Sequence, residues 1–294
     1  MIGYLLAIGA AAIWSAVALS ATRIVRYFGS YNYNLLRLLG IIVFFFPYIY
    51  INWQSIYFDQ SIFTAIVLSS IIGIIIGDTF LFICLKRLGP RRQALLFSMQ
   101  IPFTIILAEI FLQTLPSLIE LIGCSLIFLG IIIAIQFNRT IPDDDLENIQ
   151  GNKYTGLFAG IGLALCQSIG IILMKPALVS TDPIVVSYLR VIVAAIIMFG
   201  SLFFIKNNQL WEKMKDIKKT VFSIFLGFMG MGVGMTMLII ALKNGDPGVI
   251  STLSSTMPIM IIPILWIVTK NYAGHLAVVG ASLTCLGAGI IFLS

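Results

Sequence analysis

GLFAGIGLALCQS, residues 156–168, decides the fold, because the start of the chain carries a similar segment, GYLLAIGAAAIWS, from Gly3. Arg37, in the triplet LLR, follows Gly3 at the same spacing at which Arg190, in YLR, follows Gly156. Two further pairs of similar segments follow in the same order: SMQIP (98–102) with SSTMP (254–258), and GCSLIFLGIII (123–133) with GASLTCLGAGI (280–290). Internal similarity in a constant order predicts a chain built from two copies of one unit.

The amino-acid composition predicts that both copies lie in a membrane. The 294 residues are 60% hydrophobic and 10% charged, with a mean hydropathy of +1.05, whereas a soluble domain carries about 25% charged residues. The basic residues behind the net charge of +6 lie in short loops rather than in one patch, which indicates membrane orientation rather than nucleic-acid binding. Ten apolar segments approach the ~20 residues that a membrane helix needs, at residues 3–22, 33–51, 62–85, 91–112, 117–137, 154–174, 183–205, 220–242, 247–269 and 273–293.

The predicted fold class is an all-α membrane protein of ten transmembrane helices, arranged as two inverted five-helix repeats. Because each copy holds an odd number of helices, the second copy must insert upside down relative to the first. The expected units are residues 1–137 and 154–294, joined by an acidic extramembrane linker at 138–153.

The segment FSMQIPFTI, residues 97–105, places serine, glutamine and proline at the centre of an apolar run. Proline removes a backbone donor and frees the carbonyl four residues earlier. Pro102 would therefore free the carbonyl of Ser98, and its counterpart Pro258 that of Ser254. Two interrupted helices at matched positions are typical of transporters that bind substrate between inverted repeats. A tolerated kink is the alternative, since membrane helices accept proline where neighbours satisfy the backbone.

The sequence resembles the drug/metabolite transporter superfamily, in particular its EamA-type ten-helix members. The resemblance is carried by GYLLAIGAAAIWS, by the LLR and YLR triplets, by ALKNGDPGVISTLSSTMPI, and by CLKRLGPRRQALLFSMQIPFTIILA followed by GCSLIFLGIIIAI. It implies a basket of ten helices around a central cavity, with small metabolites such as amino acids, sugars or nucleotide derivatives as cargo. Family members often carry a Gly-Glu pair at the ends of helices 4 and 9, where this chain reads FLQTLPS and WIVTKNYAG, so no glutamate role is transferred.

Four ionisable residues fall within apolar segments, where charge is costly and points to function: Arg37, Asp78, Glu109 and Arg190. At ~1.5 Å of rise per residue, Arg37 and Asp78 reach similar depths from one side of the membrane. Arg190 and Glu109 lie towards the other side, so two ion pairs could form. The arginines could instead extend to the headgroups or fix helix packing. Asp78 is too short to reach the headgroups, and we expect it to face a cavity, paired with Arg37, with substrate or with a proton.

The candidate substrate-binding residues combine three of these charges with polar and aromatic residues at comparable depth: Trp14, Ser15, Arg37, Asp78, Ser98, Gln100, Gln167, Tyr188, Arg190 and Ser254. Trp14 and Ser15 are equivalent to Gln167 and Ser168 in the second copy. An arginine or glutamine would hold a carboxylate, Asp78 an amine, and Trp14 or Tyr188 an apolar body. Single serines more often bond to their own helix, which is the structural alternative for them.

Enzyme chemistry finds little support in the sequence. GIIIGDTF is close to the Gly-x-Gly-Asp signature of intramembrane aspartyl proteases, but Ile75 replaces the first glycine and no other apolar segment holds a second aspartate. No histidine lies within an apolar segment, and the four cysteines lack metal-binding spacing. We therefore expect no catalytic residues, no metal and no cofactor.

The predicted function is secondary transport of a small polar or zwitterionic metabolite, such as an amino acid, by alternating access. The expected location is the cell (inner) membrane as a multi-pass protein. Its expected partners are the metabolite and membrane lipid, without nucleic acid, and the expected assembly is a monomer or weak dimer. The alternative is a non-transporting membrane scaffold or lipid-binding protein whose buried charges are purely structural.

The orientation in the membrane receives two opposite predictions. Fourteen Lys and Arg residues lie in the loops after odd-numbered helices, and two lie in the loops after even-numbered helices. Basic loops stay in the cytoplasm, so this bias predicts that both termini face outward. The family resemblance implies that both termini face the cytoplasm.

Overall fold

A computed structural model of the protein describes residues 2–52, 59–112, 116–136, 146–180, 182–205, 208–244, 247–270 and 274–293. Over these residues the chain forms helices and short turns, with no strand. Ten helices are long and apolar enough to cross a membrane, which confirms the predicted all-α fold class and the number of spans.

The spans are numbered 1 to 10 in chain order. Their bounds are Ile2–Phe28; Ser30–Asn52; Gln60–Ser69 continuing through Ser70–Gly77 to Asp78–Leu88; Pro90–Phe97 with Gln100–Leu112; Leu118–Gln136; Lys153–Ser180; Pro183–Ile205; Ile217–Gly227 continuing through Phe228–Gly234 to Met235–Lys243; Pro247–Ser254 with Met257–Thr269; and His275–Leu293. A short helix, Asn208–Met214, precedes span 8.

Tight connections make spans 1 and 2, and spans 3 and 4, antiparallel neighbours. Gly29, with a φ of 88°, separates spans 1 and 2, and Gly89, with a φ of 83°, separates spans 3 and 4. Positive φ is the conformation that glycine adopts without steric cost. Pro90 then opens span 4 at a position where a helix needs no backbone donor.

The apolar core consists of two clusters that each draw on both halves of the chain. The first is built on spans 1, 2, 3, 7 and 8, and includes Leu38, Phe82 and Met198. The second is built mainly on spans 4, 5, 6, 9 and 10, and includes Leu95 and Ile127. The halves are therefore interleaved, and neither half carries a core of its own.

Spans 5 and 10 pack closely through glycines and run antiparallel. A Cβ added at Gly123 would lie 2.7 Å from the carbonyl oxygen of Gly287, and one added at Gly130 would lie 2.5 Å from that of Gly280. The contacts therefore run in opposite order along the two helices. Because backbone meets backbone here, a larger residue would force the helices apart.

Spans 4 and 9 are interrupted where the matched prolines predict it. Turns at Ser98–Met99 and Ser255–Thr256 divide each span into two helices. Pro102 cannot donate to the carbonyl of Ser98, and this oxygen instead accepts a hydrogen bond from the backbone nitrogen of Ile101 at 3.2 Å. A tighter local turn thus satisfies the carbonyl that proline frees.

Spans 3 and 8 each contain a π-helical segment, which the sequence did not predict. The segments are Ser70–Gly77 in span 3 and Phe228–Gly234 in span 8, and each lies in the third span of its half. The residues that follow them at once are Asp78 and Met235. Such segments within helices are frequently found at functional sites.

The end of the linker is packed against the membrane helices rather than free in solvent. Of the predicted linker, residues 138–145 lie outside the described residues. Leu146 packs against Leu19 of span 1 and Leu265 of span 9. The Glu147 carboxylate, buried to 1% exposure, pairs with Arg91 at 3.1 Å and lies 3.6 Å from Arg92. The linker therefore closes over the start of span 4.

Candidate functional site

The centre of the candidate site is a buried carboxylate at the end of the first π-helical segment. Asp78, 8% exposed, forms an ion pair through Oδ2 with Nη2 of Arg37 on span 2. Its Oδ1 accepts a hydrogen bond at 2.9 Å from Nε2 of Gln167 on span 6. The pairing of Arg37 with Asp78 that their depths predict is therefore present, and Gln167 joins it from the other half.

Asn34 is a member of this cluster that the sequence reading missed. Its Oδ1 accepts a hydrogen bond from Nε of Arg37 at 3.1 Å, and its Nδ2 donates to the carbonyl of Ile74 at 3.0 Å. The guanidinium of Arg37 also lies 4.8 Å from the ring centroid of Phe82, a distance at which cation and ring attract. The spacing of Asn34 from Arg37 could have revealed this contact, since residues three apart in a helix lie on the same face.

Arg190 approaches the same π-helical segment from span 7. Its Nη2 donates to the carbonyl of Ser69 at 3.0 Å, and its Nη1 lies 3.2 Å from the sulfur of Met174. A Cβ at Gly73 would lie 2.7 Å from Nη2, so the missing side chain makes room for the guanidinium.

The second predicted ion pair, between Arg190 and Glu109, does not form. Both residues are among those the structure describes, and no ion pair joins them. The half of span 4 that carries Glu109 packs on span 6, whereas span 7 packs on span 3 beside the π-helical segment. Similar depth in the membrane did not place the two residues on neighbouring helices.

Trp14 and Gln167 make equivalent contacts across the halves. Nε1 of Trp14 donates to the carbonyl of Gly230, in the second π-helical segment, at 2.8 Å. Nε2 of Gln167 also lies 3.3 Å from the carbonyl of Gly73, in the first. Each side chain therefore ties the first span of one half to the third span of the other.

Ser15 and Ser168 repeat the same reciprocity one residue later. The hydroxyl of Ser15 donates to its own helix and lies 3.4 Å from the carbonyl of Met257 in span 9. The hydroxyl of Ser168 lies 2.9 Å from the carbonyl of Gln100 in span 4. Both contacts reach the helix that begins just after the interruption. For Gln100 it is thus the backbone, not the side chain, that takes part.

The remaining predicted residues, Ser98, Tyr188 and Ser254, form no hydrogen bond or ion pair with Arg37, Asp78 or Gln167. The hydroxyls of Ser98 and Ser254 bond to carbonyls of their own helices, those of Ala94 at 3.3 Å and Ser251 at 3.0 Å. Tyr188 is buried in the first apolar cluster. Among the described residues there is also no group of three or more histidines, cysteines or acidic side chains that could hold a metal ion.

The arrangement can bind charge within the membrane. One carboxylate and two guanidinium groups surround a helix whose carbonyls at Ser69, Gly73 and Ile74 all accept side-chain hydrogen bonds. Such a cluster is costly in a lipid environment unless its members satisfy one another or serve a ligand.

Comparison with known proteins agrees with this fold. The model of the EamA-like transporter family matches residues 1–136 and 154–293. A solved structure described as "Crystal structure of protein" is similar at a TM-score of 0.63 and 15% identity, covering 99% of this chain and 96% of that chain; at this identity the likeness shows the fold alone. No curated protein matches the chain. Since the family match covers both halves, the chain belongs to the EamA-like transporter family.

Proposed function

We propose that the protein is a secondary transporter that moves a small polar or zwitterionic metabolite, such as an amino acid, across the cell membrane by alternating access. The observation that carries this proposal is the Arg37–Asp78–Gln167 cluster, in which a buried ion pair of one half is completed by a side chain of the other. Charged groups within spans generally mark the path of a substrate or ion.

Alternating access is supported by the contacts that join the halves. Gln167 to Gly73 and Trp14 to Gly230 are single hydrogen bonds between helices of opposite halves. Contacts of this kind can break and re-form as the helices that they join move. The antiparallel packing of spans 5 and 10 agrees with an inverted arrangement of the two halves, as in transporters that rock around a central site.

Asp78 is the group through which a ligand would change this cluster. Both of its oxygens are engaged, one by Arg37 and one by Gln167. An amine or a proton at Asp78 would therefore compete with these two partners for the carboxylate. Binding at Asp78 would then loosen a contact between the halves, which couples occupancy to conformation.

The second candidate is a scaffold or lipid-binding protein. It is favoured by a largely apolar cavity of about 370 Å³ between spans 4, 5 and 6, whose lining includes Met99, Phe128, Ile131 and Leu157. A lipid tail fits such chemistry, and the Arg37–Asp78 pair would then serve only to hold helices together.

Reconstituted vesicles separate the two candidates. The purified protein is placed in liposomes loaded with a mixture of amino acids, and counterflow of each labelled compound is measured. A transporter exchanges at least one compound class, and Asp78→Asn stops this exchange whereas Glu212→Gln, a change at an exposed carboxylate, does not. An Asp78→Asn variant that keeps wild-type counterflow would contradict the proposed site. A wild type without any counterflow would favour the scaffold.

A further inference from the structure

The positive charge of Arg190 has no carboxylate partner among the described residues. Arg37 has Asp78, and no ion pair involves Arg190. The cluster around the first π-helical segment therefore holds two guanidinium groups and one carboxylate. One positive charge remains uncompensated inside the spans, where an unpaired charge is expensive.

The hydrogen-bonding capacity of Arg190 is also largely unused. A guanidinium carries five N–H donors. The structure gives those of Arg190 one carbonyl, that of Ser69, and one thioether sulfur, that of Met174, which is a weak acceptor. Its Nε is buried without any partner. Buried donors normally have an acceptor, so the unpaired Nε of Arg190 marks a position where a ligand can supply one.

Arg37 occupies the equivalent position in the first half, and its guanidinium has partners that Arg190 lacks. Its Nη2 binds Asp78, its Nε donates to Asn34, and its plane lies against Phe82. The two arginines differ in the acceptors that surround them. This difference assigns a ligand to Arg190 rather than to Arg37.

We propose that Arg190 binds the carboxylate of the transported metabolite, with the guanidinium edge that carries Nε as the docking edge. This inference rests on the proposed transport function and specifies the ligand class as a monoanion or a zwitterion. A planar guanidinium matches a carboxylate through two parallel hydrogen bonds, which a point charge cannot do.

Asp78 limits the total charge that this site accepts. Asp78 and Arg190 both lie at the first π-helical segment: Gln167 bonds to Asp78 and to the carbonyl of Gly73, and a Cβ at Gly73 would lie 2.7 Å from Nη2 of Arg190. One carboxylate on Arg190 brings the cluster to neutrality, and a second would face Asp78 without a partner. A zwitterion would direct its amine towards Asp78, whereas a dicarboxylate would be repelled.

The experiment measures thermal unfolding of the detergent-purified protein with three carboxylates and the corresponding amides, which lack the carboxylate charge: acetate, benzoate and L-leucine against acetamide, benzamide and L-leucinamide. A thiol-reactive dye reports unfolding, because the four free cysteines are buried or half-buried. The wild type should be stabilised by at least one acid more than by its amide. Equal effects of all three acids and their amides would overturn the anion site.

Variants assign the effect to this arginine. Arg190→Gln should weaken the apparent affinity for the acid by about tenfold or more, since a hydrogen bond to a charged group is lost. Arg190→Lys keeps the charge without the planar edge and should retain part of the preference, which separates binding from misfolding of the glutamine variant. Arg23→Gln, at an exposed arginine, should leave it unchanged. An undiminished preference for acid in Arg190→Gln would contradict the inference.

Counterflow in vesicles keeps this inference separate from the proposed function. Exchange of neutral or cationic compounds without any preference for acids would overturn the anion site and leave transport intact. A preference for acids in the unfolding assay without any counterflow would overturn transport and leave the anion site intact.

Discussion

The two halves of the molecule share the same backbone features and differ in the charged residues that they carry. Both carry a π-helical segment in the third span, and a side chain from the first span of the opposite half bonds to a glycine carbonyl in it. The residue that follows the segment is Asp78 in one half and Met235 in the other. The duplicated scaffold thus provides the framework, and the departure from symmetry at Asp78 provides the chemistry.

The same departure separates the two equivalent arginines. Arg37 finds Asp78 on the neighbouring span of its own half. Met235, at the corresponding place in the second half, offers no charge, and Arg190 instead reaches the carbonyl of Ser69 in the first half. Arg37, Asp78 and Arg190, drawn from both halves, therefore gather around one π-helical segment, Ser70–Gly77.

The largest expected effect follows from removing the asymmetric charge. Asp78→Asn should abolish or uncouple transport while the folded protein remains in the membrane, because the side chain keeps its shape and loses its charge. Uptake into reconstituted vesicles measures the loss, and size-exclusion chromatography checks the fold. Wild-type uptake by this variant would show that the charge at Asp78 plays no part in transport.

The next effect concerns the stability of the ion pair. Arg37→Gln or Asp78→Asn leaves a buried charge without its partner, which costs about 3–5 kcal/mol. The double variant removes both charges and should recover much of that stability. Thermal unfolding of the four proteins gives the coupling energy. Additive losses in the double variant would place the two charges in independent environments.

The smallest effects are expected from the reciprocal ties between the halves. Gln167→Leu and Trp14→Phe each remove the side-chain donor to a glycine carbonyl, and each should cost about 0.5–1.5 kcal/mol. Gln167→Leu should cost more, because Gln167 also bonds to Asp78. Gln60→Leu, at an exposed glutamine, is the matched control. Equal losses of stability in Gln167→Leu and Trp14→Phe would mean that the bond from Gln167 to Asp78 adds nothing to stability.

Much of the architecture could be predicted from the sequence because it follows from length, hydropathy and proline chemistry. Segment lengths predicted ten spans, matched prolines predicted the interruptions of spans 4 and 9, and a constant rise per residue placed Arg37 level with Asp78. Each of these inferences concerns one helix or one pair of depths. None of these inferences depends on which helices are neighbours in the folded protein.

The features that were missed depend on neighbours or on backbone geometry. SIIGIIIG, residues 70–77, is as apolar as any helix, so nothing in its pattern reveals a π-helical segment. Depth alone paired Arg190 with Glu109, but the spans that carry them pack elsewhere. The acidic linker reads as solvent-exposed, yet Glu147 is buried because two arginines lie beneath it.

The most direct test of the central claim, that the charge cluster of the first half is a transport site rather than a structural brace, is counterflow by the double variant Arg37→Gln/Asp78→Asn. Stability is expected to recover in this variant, so a loss of activity cannot be attributed to unfolding. A transport site predicts a stable protein that exchanges no substrate. Counterflow at the wild-type rate would show that the two charges only hold spans 2 and 3 together.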